Sequence, residues 1–131
     1  MGYALGCAEG AKLASGDNVP VIAVCGDGSF QMSFMELATM KQHGIPVKVI
    51  VMTNNRLGMV REVQTKSYDN NLVAVCLDGS PDFIKLAGAY GIPAMRVDSE
   101  EKALVAIDKL VENDDQFLLV ECMVSSDEST L

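Results

Sequence analysis

The chain has 131 residues and a formal net charge of −8; 49% of its residues are hydrophobic, only 5% are aromatic, and there is no Trp. This length and composition are typical of one globular domain with an aliphatic core and exclude a disordered chain. The acidic charge argues against nucleic acid and anionic membranes as partners, because both attract clustered Lys and Arg. An anionic ligand therefore has to be held by local backbone dipoles, by a metal ion, or by both.

The cysteines and the single histidine are spread widely along the chain, at Cys7, Cys25, Cys76, Cys122 and His43. No CxxC pair occurs, so the spacing of a zinc site is absent. Disulfides are not expected, and a reducing cytoplasm is the predicted location. The sequence contains no apolar run of membrane-spanning length and no signal-peptide pattern.

The first half of the chain predicts three helices and two strands. Small residues at 2–14 are typical of a helix packed closely against another backbone. Ser33 followed by Glu36 is a capping-box pattern that predicts the start of the next helix, and Gly44 is expected to end it. A third, short helix is expected from Met59 onward. Two continuous apolar runs predict buried parallel strands at residues 20–25 and 46–53.

The second half predicts two more helices and up to three strands. Ser80-Pro81 is typical of a helix start, and Ser99 is expected to cap the last long helix. Residues 72–77 are a weaker strand candidate. The remaining strands are predicted at 94–97 and 117–124. The residues expected to face inward are Phe83, Leu86, Ala87 and Tyr90 on the first helix and Ala103, Leu104, Ile107, Leu110 and Val111 on the second.

Strands that alternate with helices predict an α/β fold with an open, doubly wound, mostly parallel sheet flanked by helices. Residues 1–131 are expected to form a single domain. Because the chain begins inside a helical pattern, with no preceding strand or linker, we expect it to be a fragment of a longer protein.

Polar residues directly follow the two buried strands of the first half. Asp27 lies between Gly26 and Gly28, and Asn54-Asn55 follows the second strand. Neighbouring parallel strands open at the same sheet edge, where ligands of such folds bind. Carboxylate, amide and carbonyl oxygens suit Mg²⁺. The two glycines allow close approach of a ligand. Exposed N–H groups there can hold phosphate oxygens, at Gly28, Ser29, Gly58 and Met59.

Each pattern alone is weak, since Gly-Asp-Gly and Asn-Asn are mostly plain turns. Together, with residues 29–53 between them, they resemble the signature of thiamine-diphosphate enzymes. The run GDGSFQMSFMELATMKQHGIPVKVIVMTNNRLGMV is similar to the acetolactate synthase (acetohydroxyacid synthase) branch, as are MGYALGCAEGAKLA before it and SPDFIKLAGAYGIPAMRV after it. The resemblance covers nearly the whole chain and points to the family's C-terminal diphosphate-binding domain.

The resemblance implies that Asp27 and Asn55 are side-chain ligands of Mg²⁺ and that Leu57 supplies its main-chain carbonyl. It implies that Met1 lies beneath thiamine diphosphate and holds it in a bent form. Biosynthetic members often carry an aromatic residue at the position of Val63, so the second substrate stays open. The cofactor-binding residues expected in all are Met1, Gly26, Asp27, Gly28, Ser29, Asn55, Leu57, Gly58 and Met59.

The resemblance also implies the reaction: decarboxylation of pyruvate and condensation of the product with a second 2-oxo acid, as in branched-chain amino-acid biosynthesis. The cofactor carries that chemistry. The family's activating glutamate lies in a pyrimidine-binding domain across a dimer interface. This chain therefore has no predicted catalytic residue, Glu36 being structural, and it is expected to be inactive alone. A homodimer is expected, and any FAD is expected to bind outside this domain.

Two other interpretations stay open. In the first interpretation, the chain is a subunit of another thiamine-diphosphate 2-oxo-acid decarboxylase, whose active site is divided between two small chains. In the second it is a non-catalytic assembly module that kept the fold, which predicts that it binds neither Mg²⁺ nor the cofactor.

Overall fold

The computed structural model describes residues 1–16, 19–112 and 114–127. Strands and helices alternate through most of the chain. Within this described part, no helix is both long and apolar enough to cross a membrane. The elements are α1 (Ala4–Ser15), β1 (Ile22–Gly26), α2 (Asp27–Gln31), α3 (Glu36–His43), β2 (Lys48–Thr53), α4 (Gly58–Ser67), α5 (Phe83–Ala89), β3 (Ala94–Val97), α6 (Glu100–Val111) and β4 (Leu118–Met123).

The four named strands form one sheet in the order β1-β2-β4-β3, and every neighbouring pair is parallel. Helices lie on both faces, so the predicted doubly wound α/β fold is confirmed. β1 and β2 are direct neighbours, with Gly26 opposite Met52. The carboxyl ends of these two strands therefore open side by side, as the interpretation of Asp27 and Asn55 required.

One face of the sheet carries the larger core. α1, α2, α3 and α5 contribute buried side chains to it, including Leu5, Phe30, Leu37 and Phe83. The rings of Phe30 and Phe83 meet edge to face, with centroids 5.1 Å apart. Such a contact favours one fixed arrangement of the two helices. Phe30 thus anchors α2, the helix that begins at Asp27, close to the middle of the fold.

α6 covers part of the opposite face, and its orientation differs from the prediction. Ala103, Ala106 and Leu110 face the sheet, where they pack with Leu118 and Val120, among others. Three of the residues predicted to face inward are instead exposed, namely Leu104 (62%), Ile107 (52%) and Val111 (63%). Apolar residues at consecutive positions in this helix make two faces compatible with the same periodicity. The small alanines allow the closer approach to the sheet.

The predicted capping box at Ser33 and Glu36 is wrong. The chain is already helical from Asp27, and α3 begins at Glu36, with Met35 at the cap position and no side-chain cap. The Glu36 carboxylate instead accepts a hydrogen bond from the Thr39 hydroxyl at 3.1 Å.

Two further boundaries differ from the prediction. Residues 72–77 form no strand, only an isolated antiparallel bridge between Arg56 and Cys76. α5 begins two residues after Ser80-Pro81, because Asp82 caps it by accepting hydrogen bonds from the N–H groups of Ile84 and Lys85.

Other predicted boundaries are confirmed. Gly44 ends α3 in the left-handed conformation, with φ of 62°, which glycine adopts without steric penalty. Ser99 caps α6 by accepting a hydrogen bond from the N–H of Lys102. The strands differ from their predicted limits by at most two residues at either end.

Candidate functional site at the carboxyl ends of the strands

Asp27 and the Asn54-Asn55 loop lie together at the ends of β1 and β2. The backbone N–H of Asn55 donates a hydrogen bond to Oδ2 of Asp27 at 2.7 Å. The other carboxylate oxygen, Oδ1, accepts from the N–H of Gly28 at 2.8 Å. The residue pair selected from the sequence is therefore in direct contact.

The Asp27 carboxylate is buried, with 1% of the residue exposed. Burial raises the pKa of this carboxyl above its ordinary value, and hydrogen bonds from the N–H groups of Asn55 and Gly28 offset part of the rise. In the described part of the chain, no Lys, Arg or His forms an ion pair with it. A buried carboxylate without a cationic partner is electrostatically suited to a metal ion.

The Asn54-Asn55 loop has a defined turn geometry. Oδ1 of Asn54 accepts from the N–H of Arg56 at 3.0 Å, which is an Asx turn. Asn55 is left-handed, with φ of 55°, a conformation that Asn tolerates better than most residues. The Leu57 carbonyl accepts the N–H of Arg61 at 2.9 Å, so only its second lone pair is available to a metal.

Two helix N-termini flank this point. α2 begins at Asp27 and α4 at Gly58, and neither has a side-chain cap. The first-turn N–H groups of a helix lack intrahelical partners and favour anions. Those of Ser29, Gly58 and Met59 are therefore suited electrostatically to phosphate oxygens. The N–H of Gly28 is instead engaged by Asp27.

The two glycines beside Asp27 differ in what they permit. A Cβ on Gly28 would lie 2.7 Å from the tip of the Leu57 side chain and 3.4 Å from that of Leu77, so a larger residue there would require the Leu57 side chain to move. A Cβ on Gly26 would meet only the Met52 carbonyl, at 4.0 Å. The absence of a side chain at Gly26 thus leaves the backbone open to a ligand.

The first residues of the chain reach the same site. The N–H of Gly2 donates to the Ser29 hydroxyl at 2.9 Å. Met1 is 84% exposed beside it. Met1 therefore lies near the predicted diphosphate contacts.

Sequence comparison identifies the family. Residues 1–122 match the family described as thiamine pyrophosphate enzyme, C-terminal TPP binding domain. The chain belongs to this family. The resemblance inferred from the Gly26–Asn55 signature is thereby confirmed.

Acetolactate synthases are among the relatives of this TPP-binding domain. It is 37% identical over 119 residues to acetolactate synthase isozyme 2 large subunit of Escherichia coli K12, covering 91% of this chain and 22% of the relative. It is 38% identical over 131 residues to the Lactococcus lactis acetolactate synthase large subunit, covering 100% of this chain and 22% of the relative. The domain thus spans about a fifth of the length of these relatives.

A solved structure supports the fold. The thiamine diphosphate-dependent 4-hydroxybenzoylformate decarboxylase of Rhodococcus jostii RHA1 superposes with a TM-score of 0.86 and 31% identity. The match covers 98% of this chain and 24% of that protein. The sheet and its flanking helices are therefore those of a thiamine-diphosphate enzyme.

One part of the site of this TPP-binding domain was missed by sequence reasoning. The segment at residues 75–77 lies against the Asn55 loop: the N–H of Leu57 donates to the Val75 carbonyl at 2.8 Å, and the N–H of Leu77 donates to the Asn55 carbonyl at 3.0 Å. Cys76 contacts the Arg56 guanidinium. No local sequence motif predicts these contacts, because they join a loop to a segment without regular secondary structure.

A thiol and two polar side chains lie close to the site and are occupied within the protein itself. Burial raises the pKa of the Cys25 thiol to about 11, with the nearby Asp27 carboxylate adding to the rise, so this thiol is neutral at physiological pH. Arg61 pairs with Asp127 at 3.2 Å. Gln64 forms two hydrogen bonds with the backbone of Val73, at 2.9 and 3.1 Å. These polar groups of α4 thus hold neighbouring chain segments.

Proposed function

We propose that this chain holds the Mg²⁺-diphosphate end of thiamine diphosphate in an acetolactate synthase-like enzyme. The observation that carries the proposal is the buried Asp27 carboxylate, which contacts Asn55 between two uncapped helix N-termini. One negative side chain, amide and carbonyl oxygens and free N–H groups suit a metal bridged to an anion. Among the described residues, no three His, Cys, Asp or Glu side chains cluster as a metal site, so in this proposal phosphate oxygens and water would complete the ligand set of Mg²⁺.

Each predicted residue has a role in this proposal. Asp27 and Asn55 bind Mg²⁺ through their side chains, and Leu57 does so through its carbonyl. Gly26 leaves room for the ligand, and Met1 lies beneath the cofactor. The N–H groups of Ser29, Gly58 and Met59 bind diphosphate oxygens, and Gly28 lines the same site while its own N–H donates to Asp27.

Thiamine diphosphate supplies the nucleophilic carbon at which pyruvate is decarboxylated and its product joined to a second 2-oxo acid. This chain contributes binding and orientation. The activating glutamate is proposed to come from a pyrimidine-binding domain in the same or another chain. Glu36 does not replace it, since its carboxylate is engaged by Thr39 within α3. We propose a cytoplasmic homodimeric enzyme of branched-chain amino-acid biosynthesis, with any FAD held elsewhere.

The proposal is tested by an amide chemical-shift titration of the chain with thiamine diphosphate, with and without Mg²⁺. Shifts are expected at Ser29, Asn55 and Gly58, and only when Mg²⁺ is present. Asp27→Ala is expected to abolish them, because it removes the only carboxylate in the proposed metal ligand set. Asp98→Ala, which removes an exposed carboxylate paired with Lys102, is the matched control.

Unchanged shifts in Asp27→Ala would contradict the metal bridge. An absence of shifts in the wild-type chain would favour the non-catalytic assembly module. The purified chain alone is expected to form no acetolactate from pyruvate, and turnover by it would contradict the proposed division of the site.

A further inference from the structure

A polar contact joins the last residue of α2 to the segment around Leu77, which lies against the Asn55 loop. Gln31, the last residue of α2, donates a hydrogen bond from Nε2 to the Ser80 hydroxyl at 3.0 Å. That hydroxyl donates in turn to the Leu77 carbonyl at 2.7 Å. All three residues are partly buried. The Ser80 hydroxyl is therefore used both as acceptor and as donor.

The same segment closes a ring back to the start of α2. The N–H of Leu77 donates to the Asn55 carbonyl at 3.0 Å, and the N–H of Asn55 donates to Asp27 at 2.7 Å. Asp27 is the first residue of α2 and Gln31 the last. The hydrogen-bonded ring thus runs through Asp27, Asn55, Leu77, Ser80 and Gln31.

We propose that Gln31 and Ser80 are positioning residues that fix the distance between Asp27 and the Asn55 loop. This inference rests on the proposed function. Leu77 lies outside any helix or strand, so its position depends on contacts with its neighbours. Ser80 and Gln31 hold it against α2, a helix anchored by the buried ring of Phe30. Through Leu77, the ring holds the carbonyl of Asn55, a residue with a left-handed backbone conformation.

Groups that hold metal ligands change the affinity for the metal without touching it. A preorganised site binds more tightly because less ordering remains to be done on binding. Neither Gln31 nor Ser80 is in the predicted ligand set. Their loss should therefore weaken Mg²⁺-dependent binding while leaving the ligands in place.

The test measures the Mg²⁺-dependent affinity for thiamine diphosphate in Ser80→Ala and in Gln31→Met, both as full chains. Loss of one hydrogen bond of ordinary strength is expected to weaken binding by about three- to tenfold. The double variant is expected to bind no more weakly than the weaker single variant, because both changes break the same ring. Ser80→Thr keeps the hydroxyl and is expected to restore binding.

Thr39→Ala removes a comparable hydroxyl within α3, outside the ring, and is expected to leave affinity unchanged. Hydrogen exchange at the Leu77 amide in the unliganded chain is expected to quicken in both ring variants. A lower Tm with unchanged affinity would show a merely structural role and overturn the inference alone. Failure of the wild-type chain to bind would overturn the proposed function and this inference with it.

Discussion

The ion pair between Arg96 on β3 and Glu121 on β4 offers a direct test of how the sheet is held near the site. Nε of Arg96 lies 2.8 Å from Oε2 of Glu121, whose side chain is 5% exposed. The Glu121 carboxylate also accepts from the Thr53 hydroxyl at 3.3 Å, at the end of β2. Arg96 also reaches Asp82, the cap of α5, at 3.3 Å.

Arg96→Met keeps the aliphatic stem and leaves Glu121 buried without a cation. Breaking a fully buried pair costs about 3–5 kcal/mol. The Arg96 side chain is 43% exposed, so water replaces part of the interaction, and we expect a loss of about 2–3 kcal/mol in the free energy of unfolding. For a domain of this size that corresponds to a fall in Tm of about 10 °C.

Urea unfolding measures this loss as a lower midpoint with an unchanged slope. Lys102→Met, which breaks a pair whose side chains are 52% and 48% exposed, is the control and should leave the urea midpoint close to that of wild type, because exposed ion pairs contribute little. Replacing both partners by Arg96→Met with Glu121→Leu should recover part of the loss, because no charge is then left buried. A single variant within about 0.5 kcal/mol of wild type would refute the reasoning.

Two further predictions follow from groups beside the site. Gly28→Ala is expected to displace the half-buried Leu57 side chain, whose tip lies 2.7 Å from the new Cβ, at little cost in stability because that side chain can move. It is expected to weaken cofactor binding, because Leu57 also supplies the proposed metal-ligating carbonyl, and equal affinity by titration would contradict this. Burial raises the pKa of the Cys25 thiol from 9.0 to about 11. The buried neutral thiol therefore contributes fully to stability below the unfolded pKa of 9.0, and this contribution is lost as the pH rises through about 11. Urea midpoints should therefore fall less steeply in Cys25→Ala than in wild type across that window, and identical slopes would contradict the assignment.

The sheet could be predicted from the sequence because its strands are short, continuous apolar runs flanked by breaks. β3 has the predicted limits, and β2 ends at Thr53 as expected. The interpretation of the site assumed that β1 and β2 are neighbours, and the structure confirms this pairing, which places Asp27 beside Asn55. The site could be predicted to this extent because a parallel sheet brings successive strand ends to one edge.

The rest of the site depended on contacts that no local pattern encodes. The bridge between Arg56 and Cys76 joins a loop to a segment without regular structure, so a strand prediction at residues 72–77 had no partner to support it. Ser33 failed as a cap because the preceding turn was already helical. In α6, the choice of the inward face rested on neighbouring apolar residues, which periodicity alone cannot rank.

The central claim is that a metal ion binds between the ends of β1 and β2. It is tested most directly by replacing Mg²⁺ with Mn²⁺, which favours the same oxygen ligands, and by recording the paramagnetic broadening of amide signals. With thiamine diphosphate present, broadening is predicted to be strongest at Asp27, Gly28 and Asn55 and to disappear in Asp27→Ala. Broadening centred on the exposed acidic residues Glu100 and Glu101, or unchanged by the Asp27 substitution, would contradict a metal held between the ends of β1 and β2.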